Sequence, residues 1–408
     1  MSDLEKQNML ALLFERGVEK VYPDHERLKD KLLSGEKLRV YLGIDPTGPM
    51  QLHHAIPMRK LRHFQELGHK VILLIGSFTA MIGDPTGKTK SRIPLTKEQV
   101  LENAKNYVEL AKGILDFENN PPEIVYNGDW LEVLTFREVI QLAAHFTVQQ
   151  MVERDMFQER IKNGMPISLH EFLYPLMQGY DSVALSCDVE IGGNDQTFNM
   201  LAGRKLVEQY LKKEKFVISV PLLTDENGRK TSTSDGTGVS LNLAPNDLYA
   251  KVMSLPDGFL KNLFYLCTDV SVAVIDEMMA DISRGQNPMI YKKRLAHLLT
   301  EMFHGQSAAE AAEENFAKTV QGQELPEDIP EWLSQGQRLE AREVLLLAGM
   351  VGSYAEAKRL IEEGAVGLYP EGTKVEQRVQ NAKEVLNLED GMVIRLGKRK
   401  FIRVKILL

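Results

Sequence analysis

Across the first half of the chain, strand-length apolar runs alternate with longer stretches of helical periodicity. LRVYLGI (38–44), KVILLIG (70–76), EIVYN (123–127), VEIGG (189–193) and FVISVPLL (216–223) are rich in Val, Ile and Leu. Such runs are near-continuous rather than alternating, as in strands covered on both faces. Between the first two, Ile56, Leu61, Phe64 and Leu67 recur at roughly helical spacing and Gly68 supplies a stop. This rhythm predicts βαβ units around a buried parallel sheet, each strand feeding a loop and then a helix N-terminus.

After about residue 225 the strand signals fade, and from Asn246 to Val320 the pattern is helical, closing in the Ala/Glu-rich SAAEAAEENFAKTVQ. GQELPEDIPEWLSQG (322–336), with its prolines and acids, reads as a linker lying on a surface rather than an element of its own. A further module follows from Arg338. Its end, RLGKRKFIRVKIL (395–407), alternates basic and apolar residues as a strand with one basic face would.

Composition removes several classes. The chain of 408 residues has 43% hydrophobic and 26% charged residues, which fits a folded multidomain protein and not a fibre or a disordered chain. No apolar run approaches the roughly 20 residues of a membrane helix, and MSDLEKQNML lacks the basic and apolar regions of a secretory signal. Cys187 and Cys267 are the only cysteines, too few for a disulfide scaffold or a cysteine zinc site. A cytoplasmic setting and no membrane contact are expected. The net charge of -8 argues against a nucleic-acid coat, but it is unevenly spread. From Arg338 onward there are 13 basic and 10 acidic residues, against 36 and 47 before it. The tail is therefore either an edge strand guarded by charge or a local surface for an anionic polymer.

Five segments carry candidate chemistry. GIDPTGPMQLHHAIP (43–57) sets an acid, a Thr and paired histidines between a strand and a helix, where an open parallel sheet leaves unpaired N–H groups facing a crevice. Adjacent histidines without a third ligand are a poor zinc site. MIGDPTGKTKSR (81–92) is not a Walker loop, since Gly83 and Gly87 enclose only three residues; it is a Gly/Pro turn carrying Asp84, Lys88, Lys90 and Arg92. In EFLYPLMQGYDSVAL (171–185) a helix would place Tyr174, Gln178 and Asp181 on one face. EIGGNDQTFN (190–199) ends a strand with glycines followed by Asp195 and Gln196. TDENGRKTSTSDGTG (224–238) is a polar loop, either a linker or a lid whose Lys230 and hydroxyls close over a polyphosphate.

Taken in order, GIDPT, IGDPTGK, the Tyr174/Gln178/Asp181 helix, IGGNDQ and PLLT leading into a Lys/Ser/Thr loop resemble the bacterial class I tyrosyl-tRNA synthetases over nearly the whole chain. YAKVMSLPD (249–257) resembles that family's anticodon-side helical domain, and EAKRLIEEGAV (356–366) the small RNA-binding module of the ribosomal-protein S-four type. The resemblance implies an α/β fold. Residues 1–225 would form a Rossmann-like catalytic domain, 226–321 the KMSKS-like loop and α-helical anticodon-binding domain, 322–337 a linker and 338–408 a small α+β RNA-binding domain. It implies ATP-dependent attachment of tyrosine to tRNA(Tyr) through tyrosyl-adenylate, with Mg2+ entering as part of the ATP complex, no protein-bound metal, and a homodimer.

Carried over by motif, Asp181 and Tyr41 would bind the substrate phenol, and Tyr174, Gln178 and Asp84 its ammonium. Gln196 would lie near its carboxylate. Gly43, Asp45, His53, Gly193, Asp195, Lys230, Ser232 and Ser234 would line the ATP site, and His54, Lys230, Thr47, Lys88 and Arg92 would act on the reacting phosphates or the tRNA end. A site that hydrogen-bonds a phenol rejects phenylalanine without editing, and this family is itself the standard case, at about 10⁵-fold.

Two segments depart from the pattern. Where the family has His-apolar-Gly-His, this chain has Gln51, Leu52, His53 and His54, one residue closer to Thr47. His53 takes the place of the glycine and should clash with adenine unless the helix entry shifts. The KMSKS-like loop reads Lys230, Thr231, Ser232, Thr233, Ser234 and lacks the second lysine, a loss on the order of 2–4 kcal/mol per phosphate contact. The alternative these leave is a weakly active or inactive protein that binds tyrosine or RNA.

Overall fold

The structure, a computed structural model, describes residues 3–86, 95–231, 236–318, 329–334, 336–371, 377–397 and 400–406. The chain forms two compact units, Met1–Ala309 and Glu310–Leu408.

The first unit is built on six strands: β1 (Lys20–Tyr22), β2 (Arg39–Ile44), β3 (Lys70–Ile75), β4 (Glu123–Tyr126), β5 (Val189–Gly193) and β6 (Phe216–Val220). Their order is β1-β6-β5-β2-β3-β4, and all pairs are parallel except the β1–β6 edge. The five apolar runs are thus the five parallel strands. β1, only KVY, carries too short a pattern to read from sequence. Val40, Leu42, Ile72, Leu73, Ile75, Val189, Ile191, Val217 and Ile218 are all buried, because helices cover the sheet on both faces.

Helix Ala55–Glu66 turns Ala55, Ile56, Met58, Leu61 and Phe64 inward against the sheet. It stops at Leu67, and Gly68 follows with φ +81°, the left-handed conformation that ends a helix cheaply only at glycine. Helix Leu169–Ala184 packs along helix Thr197–Leu211, and five further helices lie between Pro245 and Phe316. Arg16 ties the chain's beginning to this helical part. Its guanidinium donates to the carbonyl oxygens of Phe264 (2.9 Å), Tyr265 (2.7 Å), Thr268 (2.7 Å) and Val270 (2.8 Å), satisfying acceptors that the end of helix Leu260–Cys267 leaves open.

The second unit holds β7 (Glu331–Ser334), β8 (Arg338–Glu340), β9 (Val366–Tyr369), β10 (Gln377–Arg378), β11 (Val385–Asn387), β12 (Val393–Leu396) and β13 (Lys400–Ile406). The main sheet runs β10-β9-β12-β13-β7, and β8 pairs with β11. Helices Ala341–Leu347 and Tyr354–Glu362 close over a core that includes Val344, Leu345, Ile361, Val366, Ile394 and Val404. Two segments of this unit differ from the sequence pattern. Glu331–Ser334, read as linker, is a strand parallel to β13, because Trp332 packs on this core and the backbone completes the sheet. The basic run 395–407 is not one strand but the end of β12 and all of β13, turning after Leu396 where Gly397 has φ +65°.

Candidate active site

The carboxyl ends of β2, β3 and β4 meet helix Leu169–Ala184 in one hydrogen-bonded chain. Asp45, directly after β2, accepts the Thr79 hydroxyl (2.7 Å) and the Tyr174 phenol (2.7 Å). Asn127, directly after β4 and fully buried, donates Nδ2 to Thr79 Oγ1 (3.0 Å) and to Asp181 Oδ2 (3.2 Å), while its oxygen receives the Phe78 N–H (2.8 Å). Trp130 Nε1–H completes the chain at Asp181 Oδ1 (2.8 Å). The carboxylate of Asp45 reaches Thr79 only because residue 76 is glycine. A Cβ there would lie 1.9 Å from Asp45 Oδ1 and 2.4 Å from Thr79 Oγ1.

Burial raises the Asp181 carboxyl well above the usual range, and Glu190 and Asp45 add to this, while the bonds from Trp130 and Asn127 pull it back. The Tyr174 phenol is raised likewise by burial and then by the charge of Asp45. A pocket wall made of a fixed carboxylate, an amide and a phenol can receive a hydroxyl and an ammonium.

A second cluster faces it. Asp84 accepts Gln196 Nε2 (2.7 Å) and the Thr86 N–H (2.9 Å), and Gln196 Oε1 accepts Asn199 Nδ2 (2.9 Å). Asp195 is raised by desolvation and by Asp84, with Lys230 opposing, so Lys230 lies within electrostatic range of it. Gly43 is exposed at the end of β2, and Gly193 closes β5 with Asp195 Oδ1 only 2.5 Å from where a Cβ would be. Gln178 is half-buried, its Nε2 3.4 Å from Glu190 Oε1.

Tyr41, expected with Asp181 at the substrate phenol, lies in the buried cluster against which Trp130 packs. It is 1% exposed, and its hydroxyl and Ser182 Oγ are hydrogen-bonded at 2.8 Å, either able to donate. Among the described residues Thr47 engages through its backbone, donating to Asp45 O at 2.8 Å. Lys88, Arg92, Ser232 and Ser234 lie outside the described residues.

The helix entry pairs with a segment far along the chain. Leu52 N–H donates to Val239 O and Leu241 N–H to Met50 O, both at 2.8 Å, so Met50–Leu52 runs as a short antiparallel bridge beside Val239–Leu241. A 3₁₀ turn, Leu52–His54, then leads into the helix at Ala55. His54 Nδ1 accepts the Gln51 N–H at 3.0 Å, its ring 4.2 Å from that of His53. Burial, with His53 beside it, lowers the His54 imidazole to about 3. It is a neutral cap, not a cation, with both the N–H and the carbonyl oxygen (3.1 Å) of Gln51 within reach of Nδ1.

Sequence reasoning missed Asn127, Trp130, Thr79 and Arg154. Arg154 is buried, stacks on Phe198 (4.7 Å) and donates Nη2 to Thr86 Oγ1 at 2.9 Å, next to Asp84. Its Nη1 is buried without a hydrogen-bond partner among the described residues. Asn127 and Trp130 had one signal, their place just past a strand that ends in the crevice.

The chain is similar to known proteins in sequence and in fold. The profile of tRNA synthetases class I (W and Y) matches residues 33–321. The tyrosine–tRNA ligase of Carboxydothermus hydrogenoformans is 42% identical over 404 residues, covering 96% of each chain. That of Thermotoga maritima is 43% identical over 402 residues, covering 98% of this chain and 96% of its own. Among solved structures, a C-terminally truncated mitochondrial tyrosyl-tRNA synthetase from Coccidioides posadasii matches with a TM-score of 0.61 at 25% identity, covering 75% of this chain and 91% of that one.

Proposed function

The chain belongs to the class I tRNA synthetases of the W and Y type, and from that membership we propose how its site attaches tyrosine to tRNA. The Tyr174–Asp45–Thr79–Asn127–Asp181 chain of hydrogen bonds carries the reading. It sets a phenol-accepting carboxylate and an ammonium-accepting wall at the carboxyl ends of a parallel sheet, where class I chemistry takes place.

Tyrosine lies with its hydroxyl on Asp181 and its ammonium against Tyr174, Gln178 and Asp84. Gln196 orients the carboxylate, and Asp195 meets the ribose of ATP, whose Mg2+ comes with it as substrate. One carboxylate oxygen attacks the α-phosphorus in line; the bond to the β-phosphate oxygen breaks and pyrophosphate leaves. A hydroxyl of the terminal tRNA ribose then attacks the acyl carbon, forming the ester and releasing AMP. Positioning and charge stabilisation carry both steps. His54, as a neutral imidazole, and Lys230 serve the phosphates, alongside Lys88, Arg92, Ser232 and Ser234. Thr47, Gly43, His53 and Gly193 shape the nucleotide pocket, with Tyr41 supporting Asp181 from beneath.

Residues 1–225 perform activation, 226–321 face the anticodon side and 338–408 hold RNA. Two copies associate: Val133, Phe136 and Ile140 are 74%, 81% and 54% exposed, the latter two one turn apart on helix Phe136–Ala143, an apolar face that suits a twin. The setting is the cytoplasm, where translation takes place. Tyrosine-dependent ATP–pyrophosphate exchange followed by charging of tRNA(Tyr) tests the whole; tyrosine binding with no exchange would refute it.

A further inference from the structure

Beneath the tyrosine pocket lies a charged pair that the catalytic reading does not use. Lys215 is 0% exposed and Glu190 is 2% exposed, and they form an ion pair. The three ammonium protons are all taken: besides Glu190 they go to Ser182 Oγ (2.7 Å) and Met200 O (3.1 Å). Glu190 sits directly across from Tyr41 in the β2–β5 register, on the face that helix Leu169–Ala184 covers. Space for the lysine has been cleared in the neighbouring helix. A Cβ on Gly203 would lie 2.6 Å from both Lys215 Nζ and Ser182 Oγ.

A buried ion pair contributes little net stability, since desolvating two charges costs about what their attraction returns. Its connections are more informative. Ser182, held by the Lys215 ammonium, holds the Tyr41 hydroxyl at 2.8 Å. Glu190 meets Lys215 and Ser182 through Oε2, leaving Oε1 facing Gln178 Nε2 at 3.4 Å. An ionised carboxylate only accepts hydrogen bonds, whereas a glutamine amide can present either its NH₂ or its oxygen. Facing Glu190, the Gln178 amide therefore turns its NH₂ to that carboxylate.

We propose that Lys215 and Glu190 are positioning residues for the amino-acid pocket: the pair locks the Gln178 amide with its oxygen toward the substrate ammonium, and through Ser182 locks Tyr41 beneath Asp181. This rests on the reading of Gln178 as an ammonium acceptor. Without the lock, a flipped amide would present NH₂ to a cation, and tyrosine would bind weakly while ATP would not notice.

Glu190→Gln, Lys215→Met, the double variant and Gln178→Ala are compared in the full-length protein by pyrophosphate exchange and thermal melting. Glu190→Gln, nearly isosteric, is expected to raise the KM for tyrosine about tenfold, with the KM for ATP within about twofold of the parent. In the double variant the charges are gone together, so the melting temperature recovers from that of Lys215→Met while the tyrosine KM stays high. Return of both to parental values would show that the pair is only structural and overturn the proposal. If Lys215→Met fails to fold, Glu190→Gln alone decides. A raised tyrosine KM in Gln178→Ala with an unchanged one in Glu190→Gln sinks this inference and leaves the pocket reading standing. No effect in Gln178→Ala sinks both.

Discussion

Trp130 and Asp181 are joined by a 2.8 Å bond from the indole N–H to Oδ1, and the ring that makes it also packs against the buried cluster around Tyr41, Ile72 and Leu74. One side chain thus anchors the carboxylate and seals the apolar space beside it. The donor matters because burial alone drives Asp181 toward its neutral form, and the bonds from Trp130 and Asn127 are what favour the charged one. A carboxylate held this way can accept a phenolic proton from a ligand lying in a dry pocket, and has nothing equivalent to offer a phenyl ring.

Asp181→Ala should therefore erase selectivity rather than merely weaken binding. The variant leaves Trp130 Nε1–H and Asn127 Nδ2 without their acceptor, at about 1–3 kcal/mol each. We expect kcat/KM for tyrosine to fall by about 10²-fold or more while that for phenylalanine changes little. Pyrophosphate exchange with each amino acid measures the ratio, and an unaltered ratio would remove Asp181 from the phenol site.

Gly76→Ala probes the other end of the network. With Asp45 Oδ1 at 1.9 Å from the new methyl, the carboxylate or Thr79 must leave its place, and Tyr174 loses its acceptor. A displacement of about 1 Å near reacting groups can cost 10²-fold in rate. The expected result is loss of that order in tyrosine activation, with circular dichroism preserved. Parental activity would mean that Asp45 positions nothing.

The parts of this site that sequence reveals are those with local pattern. Tyr174, Gln178 and Asp181 stand out because three polar-capable residues recur along one helix face, and Asp45 because it follows an apolar run into a turn. Asn127, Trp130 and Arg154 do not, since their partners are 48 to 68 residues away and no periodicity links them. Lys215 is hidden for the opposite reason. It ends the run Lys212, Lys213, Glu214, Lys215, which reads as a solvated turn, yet it alone of the three lysines points inward to 0% exposure. In the fold, the parallel strands were legible from their continuous apolar runs. β1 and β7 were not, because a three-residue edge strand and a strand following Pro330 are held by pairing partners far along the chain.

Arg154 should prove a residue that shapes the Asp84 turn. Arg154→Met keeps its bulk against Phe198 but drops the bond to Thr86, and Arg154→Lys keeps a charge without the planar fork. Both are expected to lower kcat/KM for tyrosine about tenfold, the lysine failing to rescue. Rescue by lysine would indicate that bare charge, and not the Thr86 contact, is what the site needs.

His63 supplies a test by pH. Burial, with Lys60 and Arg59 nearby, lowers its imidazole from 6.5 to about 3, so it is neutral in the folded chain and protonates readily in the unfolded one. The unfolded state binds the extra proton between those two values, so stability is full above about pH 6.5 and declines as pH falls toward 3. By pH 5 the loss amounts to about 2 kcal/mol. His63→Gln should flatten the fall in melting temperature between pH 7 and pH 5, and an unchanged slope would show that the ring is not withdrawn from protons.

A tail deletion beginning at Arg338 follows the charge boundary, but it strands β7. Among the described residues Glu331–Ser334 pairs only with β13 in that sheet, and Trp332 packs on the core of the second unit. Left alone, the segment offers an indole and unpaired backbone to other molecules, a recipe for association. Ending the chain at Lys318, beyond helix Gln306–Phe316, removes β7 with its partners. The shorter form should stay monodisperse and retain tyrosine-dependent exchange, while charging of tRNA(Tyr) falls by about tenfold or more through loss of the basic tail. The form ending at Gln337 should share the charging defect and aggregate in addition, as light scattering would report. Equal solubility of the two would show that β7 needs no cover, and equal loss of exchange and charging would show that the tail serves folding and not RNA.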